Sequence, residues 1–410
     1  MAERLHRRIL DNGMVLLGEP MEGVESVAFN LMLPAGASAL PEGCCGAPSV
    51  IADWIFRGAG SRSSRQLSDA LDGLGLHRAS SVGSAHISIG AALESANLAP
   101  ALGLYADIIL RPNLRDDEFE LARQLALDAV RALDDEPRQK VVIKLKEQFY
   151  PYPLGRSTVG DVDQLRSLAP GMARQIVKEY FRPSQMIFSV AGKYDFDDVC
   201  IQLEKLFDDE RTPEPPQIKL GPRGNRYLHI EDRSAQVHIG LMTSSARPGD
   251  ENYYNARLAV SVLSGGMSAR LFTEVREKRG LCYAVGARYH GLKQAAGVIC
   301  YAGTTPDRAQ ETIDVITDQF ERLADGITPE EMDRAKVGLK SSLILQSESS
   351  SSRASAIGTD YYLLGRVRSL DEIKEKIDAT TVDSVLGYLR DNRFREFTVV
   401  TIGPRPVSVE

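Results

Sequence analysis

The stretch Cys45–Gly60 reads CGAPSVIADWIFRGAG, an apolar helical pattern with one face built from small side chains. Ser49, Ala52 and Asp53 stand at i, i+3 and i+4, so on a helix they share that face. Ligands at i and i+4 with an acid alongside are how a helix presents a hydrolytic zinc ion and its general base. Such an ion takes about three protein ligands of imidazole, thiolate or carboxylate type and keeps one position for water. This face offers one hydroxyl, one methyl and one carboxylate. Asp53 alone does not compete with water for zinc, and Ala52 has no group that accepts a proton. No metal is expected on it.

At 410 residues the chain is too long for one ordinary core, which points to two or three domains. A hydrophobic content of 43% with 26% charged residues fits a soluble globular protein. The net charge of −7 gives no reason to expect nucleic acid or an anionic membrane as partner. The first residues, MAERLHRRIL, are basic but lack an apolar core, and no apolar run reaches membrane-spanning length. Cys44, Cys45, Cys200, Cys282 and Cys300 make an odd count without repeated spacing, so neither a zinc ribbon nor a redox pair is read. A reducing, cytoplasmic setting is expected, or a periplasmic one if a leader has been removed.

The clearest break in composition is Asp208–Asn225, DDERTPEPPQIKLGPRGN, whose prolines make a poor helix or strand. It predicts an N-terminal domain over 1–210, a linker over 211–224 and a C-terminal domain over 225–410. A weak internal repeat supports this division. VAFNLML from Val27 matches VHIGLM from Val237, and FSVAG ending at Gly192 matches VVTIG ending at Gly403, both about 210 residues apart. Helical periodicity runs through Leu98–Leu110 and Asp116–Leu133, whereas His86–Leu93 (HISIGAAL) reads as a strand. Strands and helices mixed without regular alternation predict an α+β fold: two homologous domains, each an antiparallel-rich mixed sheet with helices packed on it. The serine run at Ser347 and Ser349–Ser352 predicts a flexible joint between helices.

Other stretches fall into a pattern with the first. Tyr152–Gly160 reads YPLGRSTVG, Phe181–Gly192 reads FRPSQMIFSVAG, and Leu263–Tyr283 reads LSGGMSARLFTEVREKRGLCY. In this order they resemble the pitrilysin, insulysin and mitochondrial-processing-peptidase family, the inverzincins, over nearly the whole chain. The last stretch is very close to that family's G-G-M-S-S-R-L-F-x-x-V-R-E-[KR]-x-G-L-[AC]-Y. Aligned on Phe56–Ala59, the family's zinc helix G-x-x-H-x-x-E-H-x-x-F-[KR]-G-[TA] places Ser49 and Asp53 at its histidines and Ala52 at its glutamate. The third ligand, roughly seventy-six residues further on in the family, falls on Ala129. Tyr152 stands where the family has a further histidine.

The resemblance implies that Arg276 and Tyr283 face the scissile bond and steady the oxyanion, work that suits a fixed guanidinium fork and a phenol. The plainer expectation for Arg276 is an ion pair with Glu274 or Glu277, and for Tyr283 a place in the core. What it implies overall is a non-catalytic, substrate-binding subunit of a two-chain zinc metallopeptidase. A zinc-bearing partner would supply the two histidines, the glutamate and the metal, and this chain would have no cofactor and no peptidase activity alone. The substrate would be an extended peptide added to a sheet edge, with His86–Leu93 the candidate edge on this chain. Another reading is a structural or peptide-binding protein of the same fold, pairing with itself. His77 and His86 have no acidic partner at ligand spacing, and no histidine completes a hydrolase with Ser49 and Asp53. Gly73-Leu74-Gly75 lacks the rest of a phosphate-binding loop.

Overall fold

The computed structural model describes residues 5–208 and 218–409. Its strands in chain order are β1 (His6–Ile9), β2 (Val15–Pro20), β3 (Ser26–Leu33), β4 (Gly58–Ala59), β5 (Arg62–Ser63), β6 (His77–Val82), β7 (Ile87–Glu94) and β8 (Ile187–Gly192), then β9 (Tyr227–Glu231), β10 (Val237–Ser244), β11 (Cys282–Gly291), β12 (Ala296–Thr304) and β13 (Thr398–Gly403). The first eight helices are α1 (Ala47–Trp54), α2 (Ser64–Asp72), α3 (Leu98–Leu110), α4 (Asp116–Ala132), α5 (Pro137–Phe149), α6 (Val162–Ser167), α7 (Pro170–Tyr180) and α8 (Phe196–Leu206). The rest are α9 (Tyr253–Ser264), α10 (Ala309–Glu321), α11 (Pro329–Ser347), α12 (Ser350–Leu364), α13 (Leu370–Ala379) and α14 (Val382–Asp391). Two larger sheets form, ordered β1-β2-β8-β3-β7-β6 and β11-β12-β10-β13-β9, and only the pairs β2–β8 and β9–β13 are parallel. The fold is α+β, as expected.

The chain divides into two compact units that are not its two halves. The first takes Met1–Ala132, Arg156–Leu220 and Gln346–Val367, and the second Leu133–Gly155, Gly221–Leu345 and Arg368–Glu410, each less its undescribed residues. The contiguous domains expected over 1–210 and 225–410 therefore need correction. That boundary separates the two sheets, but α5 lies on the second sheet and α12 on the first. Burial is the reason: each sheet has an apolar face that its own half leaves bare. Of the expected linker, 211–217 lies outside the described residues, and 218–224 has no regular structure.

In the first unit one face of the sheet carries a core around Trp54, Tyr105, Phe119 and Phe188, all fully buried. Its other face takes α12. Small residues let the helix come close: Ala354 meets Ala28 and Ala191, and a Cβ on Gly358 would sit 2.9 Å from Ser189 Oγ. Ile357 packs on Leu17, Met32 and Ile187. At the head of the helix, Arg353 Nε and Nη2 donate to Glu19 Oε1 and Oε2 of β2 at 2.8 and 2.5 Å. The serine run does join two helices, α11 ending at Ser347 and α12 beginning at Ser350, but most of it is helical. Ser349 accepts from the Ser352 N–H as an N-cap, and Ser350–Ser352 are the first turn of α12.

Gly192 ends β8 with φ of 120°, and a Cβ there would lie 2.4 Å from the Ser26 carbonyl of neighbouring β3. Both the left-handed backbone and the close carbonyl exclude a side chain. Gly192→Ala is expected to destabilise the protein by more than about 2 kcal/mol, read as a lower urea midpoint with unchanged slope.

In the second unit Phe320, Phe394, Leu389 and Val399 centre the core. On the opposite face α5 covers β10, β12 and β13, with Val141 and Leu145 resting over Gly240. Just beyond α5, the Tyr150 hydroxyl lies 2.7 Å from His290 Nδ1 of β11. Burial first, then the nearby Lys146 and Arg288 cations, push the His290 imidazole down to about 3. Unfolded histidine titrates near 6.5, so between about 6.5 and 3 the unfolded chain binds a proton that the folded chain refuses. Stability is expected to fall as pH drops through that window, by up to about 1.4 kcal/mol per unit from this group, and to be indifferent to it above. Urea midpoints from pH 7.5 to 4.5 should decline less steeply in His290→Gln; parallel slopes would remove His290 from the account.

Candidate functional site

In the first unit, Ser49, Ala52, Asp53 and Ala129 line one cleft of about 920 Å³. They come from α1 and α4, and the opposite wall is the whole of β6 with Phe56 and Leu76 nearby. Gly46 starts α1 with φ of 96°, and a Cβ there would meet Leu165 at 2.7 Å, so the helix seats tightly against α6. The side chains on this face are already engaged. Ser49 Oγ donates to the Thr158 carbonyl at 2.8 Å, from the loop of the YPLGRSTVG stretch. Asp53 pairs with Arg57, whose Nη1 reaches Glu118 on α4 at 3.1 Å. Asp128 pairs with Arg131 and Asp134 with Lys140.

These residues do not fit zinc. One hydroxyl spent on a carbonyl, one carboxylate held by arginine and two methyl groups make no ligand set. Purified chain dialysed against equimolar zinc is expected to retain far less than one ion per molecule by elemental analysis. Stoichiometric retention abolished by Asp53→Ala would contradict this.

The edge strands of the first sheet are β1 and β6, not His86–Leu93. Strand β7 lies between β3 and β6, bonded on both sides, whereas five of the six β6 residues are exposed. The polar sequence HRASSV hid that strand, because it has no apolar alternation to reveal a half-buried one. His77 stands on this edge and lines the cleft. His86 is buried edge-on against Tyr362 at 4.4 Å between ring centroids, a structural place.

Arg276 and Tyr283 meet in the second unit. Phe272–Glu277 form a π-helical turn. One such turn widens the helix and re-aims the residues on it. The Arg276 guanidinium carbon lies 4.8 Å from the Phe272 ring centroid and 5.2 Å from that of Tyr283. Glu274 is taken by Lys278 and Arg279, so it is not the partner of Arg276. Among the described residues no carboxylate pairs with Arg276. Tyr283, at the start of β11, is 83% exposed and belongs to no core. An exposed guanidinium held against two ring faces keeps its N–H fork in a fixed direction, and the phenol beside it adds one more donor.

Comparison with known proteins sets this arrangement in a family. Residues 21–162 match the family model described as Insulinase (Peptidase family M16), and residues 168–339 match that described as Peptidase M16 inactive domain. The chain belongs to peptidase family M16. An uncharacterized zinc protease of Mycobacterium tuberculosis is 27% identical over 406 residues, spanning 97% of this chain and 93% of that one. The uncharacterized zinc protease YmxG of Bacillus subtilis is 26% identical over 404 residues and 98% of each chain. Among solved structures, a peptidase M16 inactive domain from Pseudomonas fluorescens superposes with a TM-score of 0.89 at 18% identity, covering 99% of this chain and all of the other. A protease from Helicobacter pylori does so with the same score and identity over 98% of this chain and 100% of that one. Both M16 domain types are thus present. Among the described residues no helix is long and apolar enough to cross a membrane.

Proposed function

We propose that this M16 chain is the non-catalytic, substrate-binding subunit of a two-chain zinc metallopeptidase. A partner chain brings the two histidines, the glutamate and the metal. This chain brings Arg276 and Tyr283, whose donors hold the substrate carbonyl and the negative charge that develops on it. The observation that supports the reading is the contrast between the two sites. The groups that hold metal are replaced, with Asp53 committed to Arg57, whereas Arg276 and Tyr283 are side by side, exposed and, among the described residues, paired with no acid. The peptide itself is an extended one, held by backbone pairing to a sheet edge, for which β6 is the edge strand that lines the cleft of the first unit.

A structural protein of the same fold, pairing with itself, is the competing account. It has no use for a tyrosine left 83% exposed against an unpaired arginine. Co-expression decides between them. The chain should co-purify with an M16 chain bearing an intact HxxEH helix and form with it a peptidase that neither provides alone. An inert homodimer that ignores such a partner would support the structural account.

A further inference from the structure

We infer that the β11 edge selects an extended peptide with acidic side chains, placed about four to six residues from the position that Arg276 and Tyr283 hold. This rests on the peptide-holding role proposed above and names the class of peptide. Strand β11 is the outer strand of its sheet, with Tyr283 near its start and Arg288 and His290 near its end. At about 3.3 Å per residue, Tyr283 and Arg288 stand roughly 17 Å apart, the span of five residues of an extended ligand. Arg288 and His290 alternate onto one face, and the His290–Tyr150 contact shows that face to be the one α5 covers.

Further cations converge there. Lys146 of α5 is half-buried; burial, then the neighbouring Arg288, push its ammonium down. The Arg223 guanidinium stacks over Phe149 at 4.9 Å from the ring centroid. Among the described residues none of Lys146, Arg223 and Arg288 pairs with a carboxylate, and the adjacent Glu147 is taken by Lys144. In a chain of net charge −7, cations left together without acids are a place made for one. A half-buried ammonium without a counter-ion is unfavourable alone, and a carboxylate delivered by a ligand relieves it. Backbone pairing contributes only partly along this edge, because the Ala287 N–H already donates to Ser264 Oγ at 2.8 Å. The side-chain charges therefore do the choosing.

Fluorescence anisotropy on the full chain tests this with three labelled, capped ten-residue peptides of serine and threonine: one neutral, one with two glutamates five and seven residues from the labelled end, and one with two lysines there. The glutamate peptide should bind about tenfold more tightly than the neutral one, and the lysine peptide more weakly than either. The preference should shrink to about twofold in Lys146→Met/Arg288→Gln and in 0.5 M salt. Equal affinities for all three peptides, weakened alike by Arg276→Ala, would overturn the acidic preference and leave the peptide-holding role standing. Binding of none of them, with or without the zinc-bearing partner, would overturn both. A preference untouched by the double substitution would also overturn it. So would peptide binding that vanishes once the partner occupies the β11 edge.

Discussion

Arg276→Ala in the assembled two-chain enzyme should lower kcat by about 10²- to 10³-fold, the usual cost of removing one preorganised donor from a developing oxyanion. KM should move little, because the contact strengthens only as charge builds on the carbonyl oxygen. Arg276→Lys should recover only part of the loss. An ammonium has no planar fork and does not lie as well between the Phe272 and Tyr283 rings. Tyr283→Phe should cost less than Arg276→Ala, since it removes one neutral donor and leaves the ring in place. Steady-state peptide hydrolysis checks all three, with gel filtration to confirm that the partner still binds. Activity within twofold of the parent for Arg276→Ala would remove the central support of the proposed role.

Glu19→Ala should destabilise the protein by about 3–5 kcal/mol. The Arg353 and Glu19 side chains are only 5% and 7% exposed and meet through two parallel hydrogen bonds. Removing one partner strands a buried charge, and water cannot reach it without lifting α12 from the sheet. Replacing both by methionine should cost much less, because no charge is then left behind. Urea titrations of the single and double variants measure the difference. A single variant as stable as the double would mean that the guanidinium finds another acceptor.

The sequence made the fold class and the pair of sheets readable, because apolar strands such as Val27–Leu33 and long periodic helices such as Leu98–Leu110 announce themselves. Strand β6 escaped because HRASSV faces solvent, and so the wrong strand was taken for the edge. Helix α5 escaped because its charges, Arg138, Lys140, Lys144, Lys146 and Glu147, obscure the stripe of Val141, Leu145 and Phe149 that it buries. At the site, the side-chain chemistry of Ser49, Ala52, Asp53 and Ala129 could be read directly, and the fold brings the four to one cleft. The engagement of Asp53 by Arg57 and the freedom of Arg276 could not, because both depend on which of several nearby charges wins each partner. The exchange of α5 and α12 has no local signature at all. Each helix looks the same whichever sheet it covers.

That exchange orders events during synthesis. The first sheet has all its strands once Gly192 is made, yet the helix that closes its second face spans Ser350–Leu364. A nascent chain therefore carries a finished sheet with a bare oily side while more than a third of the polypeptide is still to come, an exposure of the kind that chaperones shield.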